Sequence, residues 1–184
     1  MLGIIAAGFR LAGMEKASVT AAEEVMKASQ TLASNLQKVL TDLIELHVQG
    51  KQAHWNLVGT NFRDLHLQLD EIVDSARLLA DQTAERMRSL HALPDGRSAT
   101  VSSGTRLEQY PAGLTVTKDT AKLITARLEQ TVRTIRDVHD EVDEEDPTSA
   151  DLLHEAITRL EQLAWMVNAE VMPASAPVTA PEQE

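Results

Sequence analysis

The sequence predicts an all-α protein folded as a four-helix bundle. Four long segments repeat apolar residues every three or four positions, and no alternating strand pattern competes with them. The connections between these segments are unequal, two short and one long. The chain has 184 residues, of which 43% are apolar, and this is enough for one domain with a hydrophobic core. It contains no cysteine, which excludes disulfides and thiolate metal ligands.

The first helix is predicted to end at about Trp55. Its apolar stripe consists of Leu32, Leu36, Leu40, Leu43, Leu46 and Gly50. Residues 1–30 are predicted to form an N-terminal extension, in which the capping-box pattern Thr20–Glu23 indicates an early helix start. The opening MLGIIAAGF is short and lacks a basic region, so we expect no signal peptide and a cytoplasmic protein, with Met14 as an alternative start.

The second helix is predicted from about Phe62 to His91, where Pro94 and Gly96 stop it. About 25 residues, beginning with ALPDG and ending with GLTV, then separate it from the third helix. No run in the chain approaches the roughly 20 apolar residues that span a bilayer, so we expect no membrane contact.

The third helix is predicted from about Thr117 to Glu145, and the fourth starts near Pro147, a residue that suits a helix entry. Two short links and one long crossover are typical of the ferritin-like form of the bundle. The bundle is therefore predicted over residues 31–171. Residues 172–184 are rich in Pro and Ala and are predicted to be a disordered C-terminal tail.

Potential metal ligands lie on one face of the second helix. No Glu-x-x-His pair exists for a di-iron centre inside the bundle. With His66 at 0°, however, Asp70 falls at about 40°, Asp81 at about 60° and Glu85 at about 100°. They lie away from a separate, mostly apolar arc that is predicted to face the core, namely Leu65, Leu69, Ile72, Val73, Ala76, Leu79, Ala80, Thr83, Met87 and Leu90. His54, near the end of the first helix, reaches the same place across the short loop.

These ligands are too far apart to hold one ion within one chain. His66 and Asp70 lie about 16 Å from Asp81 and Glu85 along the helix axis. Two copies of the helix, packed antiparallel about a two-fold axis, would bring the two pairs together in two equivalent sites. On spacing alone, a solvated charged face with ordinary ion pairs among Asp74, Arg77 and Asp81 stays open as an alternative.

At these residues the sequence resembles the Dps family of miniferritins. The pattern H-W at 54–55, H-x3-D at 66–70 and D-x3-E at 81–85 is present with the family's spacing, and the resemblance covers roughly residues 30–170. It implies that His54, His66 and Asp70 of one subunit meet Asp81 and Glu85 of its two-fold mate. Trp55 is implied to accept oxidising equivalents close to the iron.

The resemblance implies a hollow shell of twelve subunits with a mono-iron or di-iron site between subunits. Such a shell oxidises Fe(II), preferably with hydrogen peroxide, stores the ferric mineral inside and so limits oxidative damage. A metal-dependent amide hydrolase acting on N-acyl amino acids at the same His and carboxylate ligands stays open as a second class. Lys51 precedes His54 by less than one turn and is expected to tune the site or form a salt bridge.

The charge distribution bears on the remaining partners. Residues 137–151 carry eight acids and no Lys or Arg, and the resemblance implies that the start of the last helix lines a pore for cations. Asp146 and Asp151 are the predicted pore acids.

The chain has 28 acidic and 17 basic residues, a net charge of −11, and neither terminus is strongly basic. We therefore expect weak or no DNA binding.

Overall fold

The computed structural model describes residues 26–176 and residue 179. The predicted capping box Thr20–Glu23 and most of the predicted C-terminal tail lie outside the described residues. Within the described part, the helices are α1 Gln30–Asn56, α2 Phe62–Ser89, α3 Ser98–Gly104, α4 Thr117–Glu145 and α5 Pro147–Ala169. None of these helices is long and apolar enough to cross a membrane.

The four long helices pack as two hairpins, α1 with α2 and α4 with α5, joined along α1 and α4. This confirms the predicted bundle and its long crossover. The sequence did not predict α3, nor a parallel pairing of two short strands, β1 (Leu57–Val58) and β2 (Thr115–Val116). The strand pair ties the α1–α2 loop to the end of the crossover. The chain enters α2 through a tight turn in which Gly59 has a φ of 117°.

The predicted apolar stripes form the core. The whole predicted arc of the second helix is buried, namely Leu65, Leu69, Ile72, Val73, Ala76, Leu79, Ala80, Thr83 and Met87 on α2, and Leu90 directly after it. On the other side of the same helix, Asp74, Arg77, Asp81 and Glu85 are exposed. The prediction that α2 is amphipathic is therefore confirmed, and the helix presents its charged face to the outside of the bundle.

Two buried polar side chains anchor the crossover to the bundle. Asp42 of α1 accepts hydrogen bonds from Thr105 Oγ1 at 2.8 Å, from the Arg106 backbone N–H at 2.8 Å and from Thr134 Oγ1 at 2.7 Å. Arg127 of α4 donates to the backbone carbonyls of Glu108 and Gln109 at 3.0 and 3.1 Å. These bonds satisfy buried polar groups and fix the course of the crossover.

Candidate metal centre

Two histidines face each other across the α1–α2 loop. His54 lies in the last turn of α1 and His66 in the second turn of α2, and their rings stack with centroids 3.7 Å apart. Nδ1 of each ring lies 3.2 Å from the backbone carbonyl oxygen of the other residue. Because a carbonyl can only accept, each Nδ1 carries the hydrogen and donates it. Each Nε2 is then left with a lone pair, which is the form that binds a metal.

Asp70 completes a group of three potential metal ligands. It lies one turn after His66, and its Oδ1 is 3.2 Å from Nδ1 of His54. One ligand atom from each of His54, His66 and Asp70 lies within 4.8 Å of the others. Among the described residues, this is the only group of three or more His, Cys, Asp or Glu side chains that meets this distance. The structure thus brings together the three predicted ligands that the resemblance assigns to one subunit.

The local electrostatics keep both kinds of ligand in their metal-binding form. Burial lowers the pKa of His54 below its usual value, and this effect outweighs the nearby Asp70 carboxylate, which raises it. A hydrogen bond from Lys51 lowers the pKa of Asp70. A neutral imidazole and an ionised carboxylate are therefore favoured near neutral pH.

Lys51 also forms the salt bridge that was expected of it. Its Nζ donates to Oδ1 of Asp70 at 2.6 Å. A cation bound by Asp70 would compete with this ammonium group for the carboxylate, so Lys51 offsets part of the negative charge at the centre.

Asp81 and Glu85 do not join the other three ligands within one chain. Both are exposed on the outer face of α2, about three and four turns beyond Asp70, and neither belongs to the group around His54. Their meeting with the three ligands of another copy therefore stays a prediction.

Two aromatic side chains flank the centre. Trp55, the residue after His54, is 69% exposed, and its predicted redox role stays a prediction. Phe62 stacks on His66 with ring centroids 5.0 Å apart. The sequence reasoning missed Phe62, although its position four residues before His66 places both side chains on one face of α2.

The prediction that Asp146 is a pore acid is wrong. Asp146 is the single residue between α4 and α5, and it is only 3% exposed. Both of its carboxylate oxygens accept hydrogen bonds from Nη2 of Arg86, at 2.9 and 2.7 Å, and Ser149 Oγ donates a further one. This carboxylate fastens the α4–α5 junction to α2. The Asp151 side chain is 86% exposed, and its assignment to a pore stays a prediction.

Comparison with known proteins agrees with this fold. The family model of the ferritin-like domain matches residues 33–172. DNA protection during starvation protein 2 of Deinococcus radiodurans is 34% identical over 147 residues, which are 80% of this chain and 59% of that relative. DNA protection during starvation protein of Agrobacterium fabrum is 33% identical over 149 residues, 80% of this chain and 92% of that relative.

A solved structure extends the similarity to three dimensions. The structure of Dps from Microbacterium arborescens in the high iron form has a TM-score of 0.73 and is 31% identical, covering 79% of this chain and 98% of that one. The chain belongs to the Dps family of ferritin-like proteins.

Proposed function

We propose that the protein is a ferroxidase that takes up Fe(II), oxidises it, preferably with hydrogen peroxide, and stores the ferric product inside a shell of twelve subunits. The observation that carries the proposal is the convergence of His54, His66 and Asp70, with both imidazole Nε2 atoms left free by the reciprocal Nδ1 bonds. Family membership supports it, and the similar Microbacterium protein was solved in a form described as high in iron.

The ligand types suit iron as a substrate. Carboxylate oxygen is a hard ligand that favours Fe(III), and imidazole is a borderline ligand that suits Fe(II). Two Fe(II) ions supply the two electrons that reduce one hydrogen peroxide, with two protons, to two water molecules. Taking both electrons in this way avoids release of a hydroxyl radical, so the same reaction stores iron and detoxifies peroxide.

The proposed site is shared between two copies of the chain. One copy supplies only three ligands, and the exposed carboxylates of Asp81 and Glu85 lie farther along α2. A two-fold axis that packs α2 antiparallel against its mate would place those carboxylates opposite the three ligands, twice per dimer. Oxidation would then depend on assembly, because a single subunit lacks two of five ligands.

The relatives' names refer to DNA protection, and we propose that this protein contributes to it chemically rather than by tight binding. The net charge of −11 per chain repels the phosphate backbone, and the repulsion grows with every subunit added to a shell. The hydrolase alternative is not favoured, because the relatives reported above are Dps proteins and none is named as a hydrolase.

Subunit mixing tests the shared site. Homo-oligomers of His66→Ala and of Glu85→Ala should each lose most iron oxidation. A mixed dimer places both lesions in one site and leaves the other intact, so random 1:1 co-assembly should restore about a quarter of the wild-type rate.

The matched control is a mixture of His66→Ala with Asp70→Ala. Both residues are assigned to the same half of the site, so every site in a mixed dimer carries one lesion and no activity should return. If the His66→Ala and Glu85→Ala mixture also stays inactive despite demonstrated subunit exchange, the shared-site geometry is wrong.

A further inference from the structure

A second pair of histidines lies on the α4–α5 hairpin, on different helices from the centre described above. His139 of α4 and His154 of α5 face each other with ring centroids 4.4 Å apart and ring planes tilted by 36°. The two helices run antiparallel, so the pair bridges neighbouring backbones that the core already holds in register. The proposed function makes no use of this pair.

One ring nitrogen of His139 has a hydrogen-bond partner and the other has none. Its Nδ1 lies 3.1 Å from Oδ1 of Asp140, and because a carboxylate can only accept, Nδ1 carries the hydrogen. The lone pair is then on Nε2, an atom that is buried and has no hydrogen-bond partner. Only two other buried side-chain polar atoms among the described residues share this condition, Gln82 Oε1 and Thr125 Oγ1.

Such an arrangement is the one that proteins use to prepare a metal-binding histidine. A carboxylate that accepts from one ring nitrogen fixes the tautomer and orientation of the ring and raises the basicity of the other nitrogen. A buried lone pair without a donor costs free energy, and a bound cation would remove that cost.

The surroundings of His139 can supply further ligands. The His154 side chain is 60% exposed and that of Asp151 is 86% exposed, with 3.9 Å between Nδ1 and Oδ1, so both can reorient around an ion. Residues 137–151 contain eight acids and no Lys or Arg. The nearest basic side chain along α4, Arg136, is bound to Glu161 at 2.6 Å. The local potential therefore favours a cation.

We propose that His139 and His154 bind a divalent transition metal of the borderline class, such as Zn²⁺ or Co²⁺. Asp140 orients His139, while Asp151 and water complete the coordination. Two imidazoles with one carboxylate and an open position suit these ions, whereas Mg²⁺ and Ca²⁺ prefer oxygen ligands throughout.

The experiment uses Co²⁺ and its visible absorption, with His54→Ala and His66→Ala introduced together as the background. This background removes the proposed iron centre, so the result is independent of whether the protein oxidises iron. We expect saturable binding of one Co²⁺ per chain. Adding His139→Ala or His154→Gln should weaken binding at least about a hundredfold, and Asp140→Asn about ten- to a hundredfold.

His91→Asn is the matched control, because it removes a histidine outside the pair and Asn tolerates the left-handed backbone at φ 61°. It should leave Co²⁺ affinity unchanged. The exposed His154 allows a ligand to be removed without opening the core, so the His154→Gln protein should keep its wild-type circular dichroism spectrum. Absence of saturable Co²⁺ binding in the background protein would overturn the proposal. Unchanged affinity after His154→Gln would overturn it equally.

Discussion

Asp146 and Asp151 lie five residues apart in one acidic segment, but the structure predicts different consequences for removing the charge of each. The Asp146 carboxylate is buried and held at both oxygens by Arg86. The Asp151 side chain is 86% exposed, and its Oδ1 lies 3.9 Å from Nδ1 of His154. Asp146→Asn should therefore reduce stability, whereas Asp151→Asn should leave stability unchanged and weaken the attraction of cations.

The magnitude follows from the burial of the pair. Removing one partner of a buried ion pair costs about 3–5 kcal/mol, because the remaining charge is left without compensation. The Arg86 side chain is 25% exposed and that of Asp146 is 4% exposed, so water compensates Arg86 in part and the lower end, about 3 kcal/mol, applies. For a chain of this size the unfolding midpoint should fall by about 6–12 °C. Asp151→Asn should stay within about 0.5 kcal/mol of wild type.

The assay compares both variants for thermal unfolding, at matched protein concentration, and for initial iron uptake at low salt. The Asp146→Asn protein should unfold at a lower temperature than the wild type. Asp151→Asn should unfold with the wild type and take up iron more slowly, because charge at an exposed entrance steers cations and salt screens this effect. A wild-type unfolding midpoint for Asp146→Asn would refute the structural role assigned to this carboxylate.

The same ion pair predicts a dependence on pH. Burial alone would raise the pKa of Asp146, but hydrogen bonds from Ser149 and Arg86 outweigh it and lower the pKa below its ordinary value of 3.8. A carboxyl whose folded pKa is lowered stabilises the fold fully above the unfolded value and loses that contribution as pH falls through the folded value. The difference in midpoint between wild type and Asp146→Asn should therefore be constant near neutral pH and shrink below pH 3.8.

Three further predictions concern the metal centre, nucleic acid and the crossover. Asp70→Asn and Glu85→Gln should each abolish peroxide-driven iron oxidation, measured by ferric absorbance. The hydrolase alternative would be supported instead if the zinc-loaded wild-type protein cleaved N-acyl amino acids and the same two variants lost this activity. Plasmid DNA should migrate unchanged with added protein at physiological salt without divalent ions, and a clear shift would contradict the charge argument. Asp42→Ala leaves the hydroxyls of Thr105 and Thr134 without their hydrogen-bond acceptor. The variant should therefore be less stable than the wild type by about 3 kcal/mol, measured by denaturant unfolding. An unchanged unfolding midpoint would mean that water replaces the carboxylate.

The sequence alone determined the four long helices and the face that carries the candidate ligands. Apolar residues repeat at helical spacing over several turns of each long helix, and a long repeat leaves one face that can be buried. The buried residues of α2, together with Leu90 directly after it, match the predicted arc residue by residue. Candidate ligands such as His66 and Asp70 are predictable for the same reason, because positions four apart share a face. The two-residue strands and the seven-residue α3 were missed, since segments this short show no period.

Only the tertiary structure decided what each polar side chain does. Asp146 and Asp151 look alike in the sequence, but Arg86, 60 residues earlier in the chain, binds one and leaves the other in water. The free Nε2 atoms of His54 and His66 likewise depend on backbone carbonyls brought together by folding. The spacing of apolar residues determines which face of a helix packs against the core. Hydrogen bonds and charges act over a few ångströms, so their partners are known only when distant segments have been packed together.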